Sequence, residues 1–301
     1  MRILYIITVL AITLMLNATA YANKKIQIVT ITKDFGSIAK DIGGDHVSVS
    51  SLLSGSLNLH EITPKPSMVL LLKKADLIIR LGMDQDTWID SLIQTARNAQ
   101  LFHAATGYMD ASINIRKLEV PTENINGRKG DIHIHGNPHY WLDPNNGLII
   151  AEDIYKKLCL IDPKNKASYT KNLSQFKSNL TKKISEWNQK LSPYKEIKVI
   201  TYHTVWSYFF DAFDIDSIGE LEPLPGISPS AKHLYALKKV SEKTTFPISV
   251  LSATYYPKKT SESFAKSIGA SFYSLPTNVG DSGIITYSDL FDKIINILTN
   301  D

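Results

Sequence analysis

Four residues of this chain have side chains and positions suited to metal chemistry: His60, His139, His203 and Asp281. Three neutral imidazoles and one carboxylate form the donor set of a closed tetrahedral site of the zinc type. The four are widely separated in sequence, and each stands where a turn should follow a strand or precede a helix. Donors drawn from both halves of the chain place an ion in a cleft between two lobes. Such a site suits a protein that carries a metal better than one that needs metal only to fold.

The elements that must position these residues show in the hydrophobic periodicity. Residues 25–31, 47–53 and 75–81 are β-branched or apolar runs of strand length, with helical patterns over 35–42, 67–74 and 88–96 and a short fourth strand expected at 101–103. Strands alternating with helices at this spacing predict a parallel α/β sheet. Residues 119–138 are polar, lack periodicity and are expected to form a mobile loop, after which 145–160 is again helical. Asp162 and Pro163 mark a helix start, and Tyr169, Leu173, Phe176, Leu180, Ile184, Trp187 and Leu191 then form one apolar stripe. A coiled-coil seam is the competing reading, but the aromatics favour a backbone helix lying along both lobes. Beyond Pro193 a second series follows: strands at 198–201, 215–221, 248–252 and 271–275, and helices at 205–213, from Ser228-Pro229 to about Glu242, at 261–268 and at 287–298.

The predicted architecture is therefore α/β: two lobes, each a mostly parallel sheet with flanking helices, joined by one long helix. Its expected divisions are a cleaved signal peptide at 1–22, an N-terminal lobe at 23–161, the connecting helix at 162–192 and a C-terminal lobe at 193–301. The signal reading rests on Arg2, an apolar run too short to span a bilayer, and the small residues Ala20 and Ala22 around the expected cut. With Asn23 rather than cysteine next, the expectation is a periplasmic protein without a lipid anchor. The formal net charge is +4, with no arginine-rich stripe interleaved with aromatics, so nucleic acid is not implied as a partner. Cys159 is the only cysteine, which rules out an internal disulfide and leaves packing to hold the fold.

In an open α/β sheet, ligands gather beyond the carboxyl ends of the strands, where His60 and His203 fall. His139 lies in the stretch from Gly136 to Pro144, just ahead of a helix. Asp281 follows the last strand in a loop flanked by Gly280 and Gly283. The run Asn137-Pro138-His139-Tyr140-Trp141-Leu142-Asp143-Pro144 resembles the solute-binding receptors of bacterial zinc and manganese ABC importers, the zinc-uptake or cluster A-I family. Supporting matches are Pro64 to Ser67 after the first histidine loop, the strand beginning Ala75-Asp76-Leu77, the aromatic helix after His203, Ile227-Ser228-Pro229, and Gly280-Asp281-Ser282. The first loop reads Asn58-Leu59-His60 where the family usually has Asp-Pro-His. The stretch from Leu251 to Tyr256 has no acid where many members carry a glutamate. The resemblance implies two α/β lobes on a long helix, metal at their interface, and a membrane permease of an ABC importer as partner. The receptor itself is expected to be a monomer.

Three imidazoles with one carboxylate suit Zn(II), whereas manganese sites tend to carry more carboxylates. The expectation is a receptor that takes Zn(II) as its transported ligand, with a Mn(II) receptor of the same family as the alternative. A secreted zinc hydrolase is the second alternative. It would need an open coordination position and a base such as Glu61. His133 and His135, with Asp131, form a candidate accessory metal loop ahead of His139; incidental histidines in a polar loop are the plain alternative. Glu222, held extended before Pro223, is a candidate support for a ligating imidazole. His103 is expected at a strand end in the core, His46 exposed beside a turn, and His233 on a helix without a special role.

Overall fold

The computed structural model describes residues 24–55, 58–59, 61–122, 133–224 and 226–299. His60 and Asp131, and with Asp131 much of the predicted mobile loop, lie outside the described residues.

The first lobe is a four-stranded parallel sheet built from β1 (Ile26–Thr30), β2 (Val47–Ser51), β3 (Leu77–Arg80) and β4 (Tyr108–Asp110), in the order β2-β1-β3-β4. The second lobe repeats the plan with β5 (Lys198–Thr201), β6 (Asp216–Glu220), β7 (Ile248–Ala253) and β8 (Ser271–Leu275), in the order β6-β5-β7-β8. In each sheet the chain first crosses to one side of its opening strand and then to the other. The carboxyl ends of β1 and β3, and of β5 and β7, are therefore topological switch points where loops diverge and leave a crevice.

Helices cover the sheets. They are α1 (Lys33–Gly43), α2 (Pro66–Lys74) and α3 (Ile89–Ala96) in the first series, then α4 (Pro144–Ile161) and the long α5 (Lys166–Leu191). The second series has α6 (Ser207–Phe213), α7 (Ala231–Ser241), α8 (Lys258–Ile268) and α9 (Tyr287–Thr299). The 26 residues of α5 span roughly 39 Å at about 1.5 Å per residue. Its stripe is spent inside the molecule. Tyr169, Phe176, Leu180, Trp187 and Leu191 are buried, and Trp187 stacks on Phe291 of α9 with ring centres 5.0 Å apart. The Trp187 indole N–H and Lys183 both donate to Asp292, at 2.8 Å. This settles the stripe as an intramolecular seam rather than a coiled-coil face.

One apolar core runs through both lobes, from Phe35, Ile38 and Ile79 through Tyr140 and Trp141 to Phe209, Tyr287 and Phe291. A smaller cluster around Ile200, Val250 and Phe264 fills the outer side of the second sheet. The closing segment packs back on the first lobe. The Tyr287 hydroxyl donates to the Trp141 carbonyl at 2.6 Å, and the Trp141 indole donates to the Thr277 carbonyl at 2.8 Å. Among the described residues no helix is long and apolar enough to cross a membrane.

Four local expectations are corrected. The fourth strand is Tyr108–Asp110, not 101–103: Ala99–Leu101 is a single 3-10 turn, and His103 is exposed. The Asn98 side chain turns the chain there, accepting from Gln100 N–H and donating to the Leu72 and Ala75 carbonyls. Gly107 then lets the strand begin against Asp76, whose carbonyl oxygen lies only 2.5 Å from where a side-chain carbon would sit. Ser230, not Ser228, caps α7 by accepting from His233 N–H at 3.2 Å. His46 is half-buried, meeting Ser168 at 3.2 Å and the edge of Tyr169.

Candidate metal centre

His139 and His203 come together at the lobe boundary, one from each side, with ring centres 5.9 Å apart and planes near perpendicular. Both are almost fully buried, at 1% and 3% exposure. His139 sits between β4 and α4, in a turn whose next three residues, Tyr140–Leu142, form a buried 3-10 turn. The Tyr140 hydroxyl anchors that turn by donating to the Leu81 carbonyl at 2.7 Å, just past β3. His203 follows β5 in extended conformation, ahead of the buried Val205 and Trp206.

Each ring is oriented through its Nδ1. In His139, Nδ1 lies 2.9 Å from Asn137 Oδ1, which also accepts the His139 backbone N–H at 2.9 Å. The Asn137 Nδ2 faces three oxygens, those of Glu119, Thr204 and Ser207, so the amide orientation is set by its partners. An amide oxygen only accepts, so Nδ1 of His139 carries the proton and Nε2 bears the lone pair. In His203, Nδ1 lies 2.9 Å from Glu222 Oε2, with both side chains buried. A carboxylate behind an imidazole fixes the tautomer and raises the basicity of the opposite nitrogen.

Asp281 is buried at 4% exposure, beside a left-handed turn at Gly280 and Ser282. Thr254, at the end of β7, donates to one carboxylate oxygen, and Ser282 donates to the other at 2.8 Å. Each oxygen keeps a further lone pair. Among the described residues, no three His, Cys, Asp or Glu side chains form a group able to hold a metal ion. The described geometry thus brings His139 and His203 together, does not join Asp281 to them as a complete ligand group, and leaves His60 outside. Gly55, five positions before His60 in sequence, nevertheless packs on the main chain of residues 279–281.

The two histidines of the candidate accessory loop part ways. His133 meets His139 edge-on with ring centres 6.3 Å apart, whereas His135 pairs with Asp84 at 2.5 Å. The His233 Nε2–H donates to the Glu220 carbonyl at 2.8 Å, and the ring is taken up there. Glu220 itself is held above the usual carboxylate range by burial and by the nearby charge of Glu119. Tyr255 and Tyr256 are pushed far above the phenol range, mainly by burial and with Glu222 as a contributing negative charge, so both stay neutral around the site. Sequence reasoning missed Asn137, Glu119 and Thr254. Asn137 carried a signal, standing two residues before His139, the short reach of a side chain that bonds its own backbone. Thr254 and Glu119 carried none.

Residues 28–301 match the family described as zinc-uptake complex component A, periplasmic. The chain belongs to this family. Its fold is close to that in a crystal structure of ZnuA, with a TM-score of 0.76 and 25% identity over 92% of this chain and 99% of that one. The manganese ABC transporter substrate-binding lipoprotein PsaA of Streptococcus pneumoniae is 29% identical over 202 residues, 65% of this chain. The metal ABC transporter substrate-binding lipoprotein SloC of Streptococcus mutans is 29% identical over 204 residues, again 65%. The match spans 62% of the length of each of these two relatives.

These relatives correct one expectation. PsaA and SloC are named lipoproteins, which overturns the reading of a receptor without a lipid anchor. That reading leaned on one residue, Asn23, beyond an assumed cut. An anchor is attached at a chain end, and the pattern of packed lobes carries no trace of it. A location outside the cytoplasm stays consistent with both.

Proposed function

We propose that this protein is the metal receptor of an ABC importer, capturing Zn(II) between its lobes outside the cytoplasm and handing it to a membrane permease. The observation that carries the reading is the pair His139 and His203, contributed by opposite lobes, each with Nδ1 engaged so that Nε2 serves as donor. His60 and Asp281 complete the proposed set. Glu222 supports His203, and the carboxylate of Asp281 offsets part of the ion's double charge within a largely buried site. Zn(II) is the proposed cargo because three imidazoles and one carboxylate suit it by donor type. The receptor is proposed to act as a monomer, with the stretch around Asp131, His133 and His135 as an accessory loop.

A Mn(II) receptor is the second reading, favoured by the similarity to PsaA, a manganese ABC transporter substrate-binding lipoprotein. The test is direct. Purified protein stripped with chelator is titrated with Zn(II) and with Mn(II), and then with each in competition. The proposal expects one tightly bound Zn(II) per chain that Mn(II) does not displace at equal concentration. Displacement of Zn(II) by equimolar Mn(II) would establish the manganese reading, and no metal-dependent rise in melting temperature would overturn both.

A further inference from the structure

One amide touches both halves of the site. Asn137 Oδ1 holds the ring and backbone of His139, while Asn137 Nδ2 lies 2.6 Å from the carbonyl of Thr204, the residue after His203. The same Nδ2 meets Glu119 Oε2 at 3.0 Å, and the other oxygen of Glu119 accepts from Ser207 at the start of α6. Asn137 is 1% exposed. Two further links fasten this segment: the Asn137 N–H donates to the Leu118 carbonyl at 2.9 Å, and the Leu118 N–H donates to the Tyr208 hydroxyl at 3.0 Å. Glu119 is held in the left-handed region at φ 55°, an uncommon conformation for a non-glycine residue. Its neighbours keep it there: Asn137 on one side, Ser207 on the other.

We propose that Asn137 and Glu119 are positioning residues that set the separation and ring orientation of His139 and His203, and thereby favour a small tetrahedral cation over a larger one in the cleft. The inference rests on the receptor reading above, and it adds a physical source of selectivity that the donor types alone do not supply. A donor pair held at one distance by a buried amide cannot spread without breaking hydrogen bonds on both sides of the lobe boundary. Zn(II) accepts a close four-coordinate set, whereas larger, oxygen-preferring ions need more donors and more room. The clasp acts on geometry and touches no metal.

Three variants separate its two arms. Asn137→Ala removes both. Asn137→Asp keeps an oxygen for His139 but turns a second oxygen toward Glu119 and the Thr204 carbonyl, so only the cross-lobe arm fails. Glu119→Ala leaves the His139 contact whole and removes the link to Ser207. Two measurements are made on each: the imidazole nitrogen resonances of the metal-free protein, and affinities for Zn(II) and Mn(II) chloride by chelator competition.

In the wild type, His139 should be the Nδ1–H tautomer. Asn137→Ala should mix the tautomers and weaken Zn(II) about 10- to 100-fold, the usual effect of losing such a partner. Asn137→Asp and Glu119→Ala should keep the tautomer and narrow the Zn(II)-over-Mn(II) ratio about tenfold; in Asn137→Asp the new carboxylate also raises the basicity of His139, so there the ratio, not the Zn(II) affinity itself, is the readout. An unchanged tautomer and unchanged ratio across the folded variants overturn the proposal. If Asn137→Ala does not fold, the other two variants decide it by the same ratio. A wild type that prefers Mn(II) sinks the zinc reading, while the tautomer measurement still reports separately whether Asn137 positions His139.

Discussion

Gly55 and Asp281 meet main chain to main chain. A carbon added at Gly55 would fall 2.4 Å from the Asp281 nitrogen and 2.3 Å from the Val279 carbonyl oxygen. Backbone cannot swing aside as a flexible side chain can, so the main chain at Gly55 and the loop bearing Asp281 are fitted at one place from opposite lobes. Gly55→Ala should therefore cost about 1–3 kcal/mol of stability, the usual range for forced overpacking. It should also weaken metal binding by separating the two loops. Thermal melting with and without Zn(II) checks both effects, and a variant as stable and as tightly binding as wild type would contradict the fit.

Glu222 lies behind His203 with both side chains buried. Glu222→Gln keeps the shape and can keep one hydrogen bond, but it removes the charge that makes the imidazole a better donor. Zn(II) affinity should fall about 10- to 100-fold with the fold intact. Calorimetric titration measures this, and circular dichroism confirms the fold. No change in affinity would assign Glu222 to packing alone.

His133 faces His139, whereas His135 pairs with Asp84. The two should consequently differ on substitution. His133→Ala should slow metal capture or weaken binding measurably. His135→Ala, which loses only an exposed contact with Asp84, should change affinity by less than about twofold. Stopped-flow mixing with Zn(II) distinguishes them; equal effects would count against the split.

Asp34, in the first turn of α1, joins the lobes by accepting from Val279 N–H at 2.8 Å and from Asn278 Nδ2 at 2.9 Å. Burial raises its pKa from 3.8 to about 6, against the hydrogen bonds from Asn278 and Val279, which lower it. A carboxyl with a raised folded-state pKa binds more protons folded than unfolded between those two values. Its contribution is fully present below pH 3.8 and is lost as pH rises through about 6. The difference is about 3 kcal/mol at most. Metal-free wild type should lose stability relative to Asp34→Asn between pH 4 and pH 7, measured by denaturant unfolding at each pH. Parallel pH profiles for the two proteins would show that Asp34 does not titrate in this range.

Periodicity alone determined the two strand–helix series and the long helix between them, because each element's apolar face must be paired and its spacing records that need. Residue type made the candidate donors legible in the same way: histidines at strand ends and before a helix can be read one by one. Where local pattern was weak, the tertiary structure decided. The fourth strand moved from 101–103 to Tyr108–Asp110, because side-chain bonds from Asn98 and the close approach at Gly107 override a short apolar run. The seam of α5 turned inward, because Phe291 and Asp292 arrive from the far end of the chain to meet Trp187. Only the folded chain brings Asn137 to Thr204, Glu119 to Ser207 and Thr254 to Asp281. Those pairs are distant in sequence, and a single hydroxyl, amide or carboxylate leaves no periodic trace. A donor's identity is written in its own residue, but its orientation comes from partners that only tertiary packing supplies.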